Sequence, residues 1–157
     1  MKLYHGSYIA VSQPLLKYSR INIDFGVGFY TTPMREHAQK WATRFKKEGK
    51  KAYLSIYDFN ESILSKLKVL QFEKYDEVWL DQVISCRMGN DVPGYDLIIG
   101  GIANDKVFNT IELFMDNLIE KKEALRRLQF EQPNIQYCFK NQEVIDKYLK
   151  FEQGIEL

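Results

Sequence analysis

The sequence predicts an α+β fold. Three observations carry that expectation. Segments with the two-residue period of strands and segments with the 3.6-residue period of helices both occur, without the regular strand–helix–strand alternation of a parallel sheet. No internal repeat, low-complexity tract or Pro/Gly-rich linker interrupts the 157 residues, so a single domain over 1–157 is expected. Hydrophobic residues make up 45% and charged residues 27%, which suits one packed core and not a disordered chain.

The elements follow in order. Lys2 to Tyr8 reads as a first strand ending in a glycine turn. Ile9 to Thr32 lacks helical periodicity, contains Pro14, Gly26 and Gly28, and reads as a long loop with short ordered pieces. A long irregular segment in a compact domain is usually functional or mobile. Thr32-Pro33 offers an N-cap and an N1 proline. Ala38, Trp41, Ala42 and Phe45 then form one apolar helix face, which Gly49 ends. Lys51 to Phe59 alternates as a strand, and Val69 to Phe72 is a weaker one. Glu77 to Arg87 reads as a helix with Trp79, Leu80, Val83 and Ile84 inward. Asp96 to Gly101 is a buried strand. Lys106 to Leu118 puts Val107, Ile111, Phe114 and Leu118 on one helix face. Lys121 to Leu128 is a short helix, Asn134 to Phe139 a strand and Glu143 to Leu149 a final helix.

Composition excludes several function classes. The net charge of +1 gives no global bias toward nucleic acid or acidic membranes. With two histidines and no CxxC pair around Cys86 and Cys138, no metal site is expected. Two cysteines do not make a disulfide scaffold, so both are expected as buried thiols in a reducing cytoplasm. Met1 to His5 has no apolar signal-peptide core, and no run approaches the roughly 20 apolar residues of a membrane span. Aromatics stand out at 14%, which fits an aromatic core or a stacking surface for a planar ligand.

Two motifs carry chemistry. In His5-Gly6-Ser7 a strand end holds the histidine, and the glycine lets a ligand approach the backbone. Gly6 then offers N–H and C=O to a planar amide, and His5 a ring nitrogen to a hydroxyl. An ordinary turn with a surface histidine satisfies the same residues. In Asp24-Phe25-Gly26-Val27-Gly28-Phe29-Tyr30-Thr31-Thr32, two close glycines suggest a backbone bent beside a ligand. Tyr30, just before a helix start, is placed to stack on a pyridinium ring. A glycine turn with core aromatics remains the plainer alternative. Neither motif is a phosphate loop.

Together the motifs resemble the ADP-ribosyltransferase superfamily, on its His-Tyr-Glu branch. Tyr4-His5-Gly6-Ser7 and Gly28-Phe29-Tyr30-Thr31-Thr32 carry the likeness. More closely, the chain is similar to small bacterial toxin-like proteins of that superfamily, through His5–Ser7, Asp24–Thr32, Ala38–Ala42, Tyr95–Asp105 and Asn134–Phe139. The resemblance implies a split β-sheet with flanking helices around an NAD cleft. NAD would be the substrate, its ADP-ribose passing to a protein or nucleic-acid acceptor. The cofactor-binding residues would be His5, Gly6, Ser7, Gly28, Tyr30 and Thr31, with His5 on a ribose hydroxyl, the Gly6 backbone on the carboxamide and Tyr30 on the nicotinamide ring. A toxin or defence role with a small antitoxin-like protein partner is also implied.

The chain departs from the branch at the third position, where Gln136 stands in place of the usual glutamate. Glutamine bonds a hydroxyl but neither carries charge nor acts as a general base. The catalytic set is therefore His5, Tyr30 and Gln136, with Glu131 as a surrogate acid. A non-catalytic NAD or ADP-ribose binding module and an NAD hydrolase are the alternatives. A partner-holding protein using the Trp79 and Phe114 helices is a third. Asn104-Asp105 is expected to cap the following helix, and Asp24 to stabilise its loop. His37 is expected to face solvent. Lys40 to Lys51 is a basic run that meets phosphates or is simply the solvated face opposite Trp41 and Phe45. Lys121-Lys122 with Arg126-Arg127 offers the same choice.

Overall fold

In a computed structural model, which describes residues 1–157, the chain is α+β. The strands are β1 (Lys2–Ser7), β2 (Phe29–Thr31), β3 (Tyr53–Phe59), β4 (Val69–Gln71), β5 (Leu97–Gly101), β6 (Ile135–Phe139) and β7 (Leu149–Glu156). The helices are α1 (Arg35–Thr43), α2 (Glu77–Arg87), α3 (Asp105–Met115), α4 (Lys121–Leu128) and α5 (Gln142–Tyr148). They build two sheets, one of order β1-β3-β7 and one of order β2-β6-β5-β4. Every pairing is antiparallel except β4 with β5, which α2 connects.

The sheets face each other across one apolar cluster. Leu3, Tyr57 and Phe59 enter it from the first sheet, and Phe29, Leu97, Ile99 and Phe139 from the second. The other face of the four-stranded sheet packs on α2, α3 and α4 through Trp79, Leu80, Val83, Val107, Ile111 and Leu128. Ala38 of α1 covers the outer face of the three-stranded sheet over Leu54 and Ile56. β3 is therefore buried on both faces, and Leu54, Ser55, Ile56 and Tyr57 are all inside. Its alternating residue types do not mark a wet side and a dry side.

Caps close the helices where the side chains predict. Asp76 accepts from the Trp79 N–H at 3.0 Å, and Asn104 accepts from the N–H groups of Lys106 and Val107. Gly49 ends a 3-10 turn over Arg44–Glu48 in the left-handed conformation, at φ 74°.

Several expectations are corrected. Helix α1 starts at Arg35, not at Thr32-Pro33, because Thr32 is held in a bridge to Tyr4 and its hydroxyl donates to the Ile135 carbonyl at 2.8 Å. Its buried stripe is only Ala38 and Ala42; Trp41 is 42% exposed. Gly6 explains this, since a Cβ there would collide with the Ala38 carbonyl oxygen and crowd the Ala42 nitrogen. Helix and strand backbones sit too close for a large side chain between them. His37 is half-buried, not solvent-facing. Leu118 is exposed because α3 stops at Met115 and Asn117 turns the chain at φ 58°. Trp79 is fully buried and Phe114 packs on the same cluster, so their helices present core and not a docking face. The sequence pattern does not announce the strand β7 after α5. It is an edge strand with Lys150, Glu152, Gln153 and Gly154 exposed, held by its backbone ladder to β3.

Candidate functional site

The two sheets touch at one bridge. The Tyr4 N–H donates to the Thr32 carbonyl at 2.8 Å, and the Thr32 N–H to the Tyr4 carbonyl at 2.9 Å. Continuing that antiparallel register would set Gly6 opposite Tyr30. The ladder stops there. Backbone polar groups along a strand alternate between its edges. Met1 bonds β3 through its carbonyl, so odd residues of β1 face β3, and Tyr4 and Gly6 face the other way. Past Thr32, the Gly6 N–H and C=O thus point into the break in the ladder between β1 and β2, a notch at which Gly6 itself is buried.

His5 holds the split open. Its Nδ1 lies 2.7 Å from the Tyr30 carbonyl oxygen, taking the place Gly6 would have filled in the ladder. A carbonyl only accepts, so Nδ1 carries the proton and Nε2 keeps its lone pair. The ring packs on Phe29 with centroids 4.6 Å apart. Burial pushes the imidazole below its usual 6.5, outweighing the Tyr30 bond, which acts to raise it. His5 is therefore neutral at pH 7. A depressed histidine contributes stability above its unfolded value and loses it as pH falls. Wild type is thus expected to lose thermal stability relative to His5→Asn, which donates to Tyr30 without titrating, as pH drops below 6.5. An unchanged gap down to about pH 5 would refute a neutral His5.

Tyr30 lies on the face of β2 that packs against the α2–α4 layer. Its hydroxyl donates to the Gly26 carbonyl at 2.6 Å and accepts from the Phe25 N–H at 3.0 Å. Burial above all keeps that phenol protonated, its pKa raised well above the usual 10. Tyr30 thus closes the loop that precedes it. Gly28 is needed for packing, because a Cβ there would strike the Cys138 sulfur. Cys138 itself is buried and its thiol pushed up to about 12, burial being the main cause.

Lys140 anchors the same loop from the other side. Its Nζ donates to the carbonyls of Phe25 at 2.8 Å and Val27 at 2.6 Å, and pairs with Asp91 at 2.7 Å. Burial works to raise the Asp91 carboxyl, but the Lys140 and Val92 bonds outweigh it and hold it below the usual range. Lys140→Met should cost about 2 kcal/mol, below a fully buried pair because Asp91 is half exposed. Urea unfolding reads this directly, and a shift under about 0.5 kcal/mol would deny Lys140 the anchoring role.

Gln136 sits on the same sheet face as Tyr30, two residues from its partner Cys138. It is 7% exposed. Its Nε2 donates to the Gly101 carbonyl at 3.3 Å and, at the long limit, to Asp24 Oδ2 at 3.5 Å. Asp24 Oδ1 accepts from Arg87 Nε at 3.0 Å and Nη2 at 2.7 Å. Arg87 also faces Glu112 at 3.6 Å and lies 4.9 Å from the Phe108 ring. With both amide hydrogens committed, Gln136 has only the acceptor Oε1 left to offer a ligand.

The structure thus brings His5, Gly6 and Tyr30 together at the sheet split, and places Gln136 on the Tyr30 face of the sheet with Asp24 and Arg87 beside it. Ser7 is buried next to Gly6, and the Thr31 hydroxyl is turned into the sheet, donating to the Tyr137 carbonyl at 3.2 Å. Glu131 lines a different cleft with Tyr75, Asp76, Leu125 and Leu128, whose lining includes neither His5 nor Tyr30. Asp24 does tie its loop down, as expected, but through Arg87 of α2. Sequence reading missed Arg87 and Lys140. Their only local signal is that each is a lone cation beside apolar residues. No helix is long and apolar enough to cross a membrane. A family model described as "Protein of unknown function (DUF3990)" matches residues 1–151, and the chain belongs to that family. No curated protein and no solved structure matches it.

Proposed function

We propose that the chain binds NAD where β1 parts from β2 and acts as a mono-ADP-ribosyltransferase. The observation that carries this reading is the interrupted ladder: a Gly6 edge with donor and acceptor together, opposite Tyr30 and beside a neutral His5. A nicotinamide carboxamide has the complementary pair. Two sheets joined at one bridge also suit the split sheet that the resemblance implies.

In this reading His5 Nε2 accepts from a ribose hydroxyl. An exposed part of the Tyr30 ring lies against nicotinamide. Gln136 Oε1 accepts from a hydroxyl of the reacting ribose. The bond from C1′ to the nicotinamide nitrogen breaks, and its electron pair leaves with nicotinamide. The oxocarbenium-like C1′ is captured by an acceptor nucleophile, which then sheds its proton. Asp24, 3.5 Å behind the Gln136 amide, orients it while its own charge is matched by Arg87. Roles as a toxin or defence effector in the cytoplasm, with a small antitoxin-like partner, rest on the resemblance.

One observation favours a second reading, NAD binding or hydrolysis without transfer. Gln136 offers no base, and the nearest carboxylate is already paired with Arg87. Incubation with NAD labelled in its ADP-ribose half, with and without cell lysate, separates these. Label on macromolecules supports transfer. Free ADP-ribose alone supports hydrolysis, and retention without nicotinamide release supports binding only. No retention at all refutes the site.

A further inference from the structure

The near-neutral net charge conceals a marked asymmetry. Residues 17–51 hold nine Lys or Arg against three Asp or Glu, while the rest of the chain holds thirteen against eighteen. The basic segment comprises the loop before β2, α1 and the turn that ends at Gly49. It borders the notch, since Gly6 packs directly on Ala38 and Ala42 of α1.

Aromatic rings are set into this basic surface. Tyr18 is 76% exposed, Tyr8 47% and Trp41 42%, with Phe45 half-buried beside Tyr8 at 5.5 Å. Each carries a cation. The guanidinium of Arg44, which also pairs with the exposed Asp105 at 3.2 Å, lies 4.7 Å from the Trp41 ring and that of Arg20 6.0 Å. Lys50 lies 5.3 Å from Tyr8 and 5.9 Å from Phe45, and Lys17 lies 5.0 Å from Tyr18.

A merely solvated helix face needs the charges but leaves no reason to expose the rings. An anionic bilayer would need a continuous apolar helix face to insert; the apolar stripe of α1 is buried on β1, and the exposed Ile9, Ile21 and Met34 lie outside that helix. Rings interleaved with cations match a chain of planar bases joined by phosphates: the rings stack on bases and the cations neutralise the backbone. Bases in a duplex are stacked on one another and cannot meet such rings.

We infer that this strip binds single-stranded nucleic acid. With the reading above as its premise, it also identifies the acceptor class as a single-stranded nucleic acid delivered to the notch.

The test is a titration of the full chain with a fluorescein-labelled, mixed-sequence single strand of about 16 nucleotides. Anisotropy and tryptophan emission are followed together. Trp79 is fully buried, so quenching reports Trp41. The strand should bind and quench, and the same sequence as a duplex should bind at least roughly tenfold more weakly. Trp41→Ala should weaken binding by about tenfold, within the range for one lost stack. Arg20→Ala with Arg44→Ala should flatten the salt dependence by about one to two phosphate contacts. The inference is overturned if the duplex binds equally well or if Trp41→Ala changes nothing. It also falls if polyglutamate competes as well as the unlabelled strand, if anionic vesicles bind in its place, or if NAD displaces the strand. Calorimetry with NAD keeps the two ideas apart. Strand binding without NAD binding upholds the strip and sinks the transferase reading, and the reverse sinks the strip alone.

Discussion

Tyr30→Ala is expected to abolish nicotinamide release from NAD and to destabilise the fold by about 3 kcal/mol. The two effects have different origins. The stability loss comes from the ring packed on the α2–α4 layer and from two hydrogen bonds, to the Gly26 carbonyl and from the Phe25 N–H. Phe25 is fully buried, so its N–H has no water to turn to once the hydroxyl is gone. On the proposed function, the loss of chemistry comes from the ring face offered to nicotinamide. Tyr30→Phe separates them. It keeps the ring and removes the hydroxyl, so it should cost about 1–2 kcal/mol and leave NAD affinity within a few-fold. Urea denaturation and nicotinamide release, both measured well below the melting midpoint, read the two quantities independently. A folded and active Tyr30→Ala would remove Tyr30 from the site. If Tyr30→Phe lost affinity as completely as the alanine variant, loop closure and not stacking would be what the site requires.

How far the sequence reaches depends on whether a feature is set by near neighbours. The limits of α2 and the Asn104 cap are local matters of periodicity and capping, and both are legible. Edge strand β7 is not, because a backbone ladder to β3 asks little of its side chains. Trp41 misleads for a related reason. Its spacing fits an apolar stripe, but the width of that stripe is decided by the approach of Gly6, which lies on another strand. In the sequence Gly6 suggests room for a ligand. Its missing Cβ is in fact room for α1, and what faces the notch is the edge of its backbone. His5 and Tyr30 are recognisable as a pair, yet their contact through a backbone carbonyl is a property of the interrupted register. The hardest feature is the one behind Gln136. Asp24 lies 63 residues from Arg87 and 112 from Gln136, and no spacing rule links the three.

That cluster reverses the obvious expectation for Gln136→Glu. Restoring the glutamate of the resembled branch looks like a gain of charge where charge is useful. Here it should cost about 2–4 kcal/mol and lower turnover. The new carboxylate would face the Gly101 carbonyl and Asp24, two acceptors where the amide now donates. Like charge and burial would both raise its pKa. An acid raised in the folded state is destabilising above that raised value and neutral in effect below the unfolded one, about 4.3. The deficit of Gln136→Glu against wild type should therefore shrink as pH falls from 7 toward 4.3. Adding Asp24→Asn exchanges the two groups. The amide introduced at position 24 can donate to the carboxylate introduced at position 136, and the cluster keeps a single carboxylate near Arg87. The double variant should recover at least half of the lost stability, a coupling that a double-mutant cycle measures directly. Its turnover should exceed that of either single variant, because the charge then stands at the hydroxyl and not behind an amide. Additive losses in the cycle would show that Asp24 and Gln136 do not act as a unit.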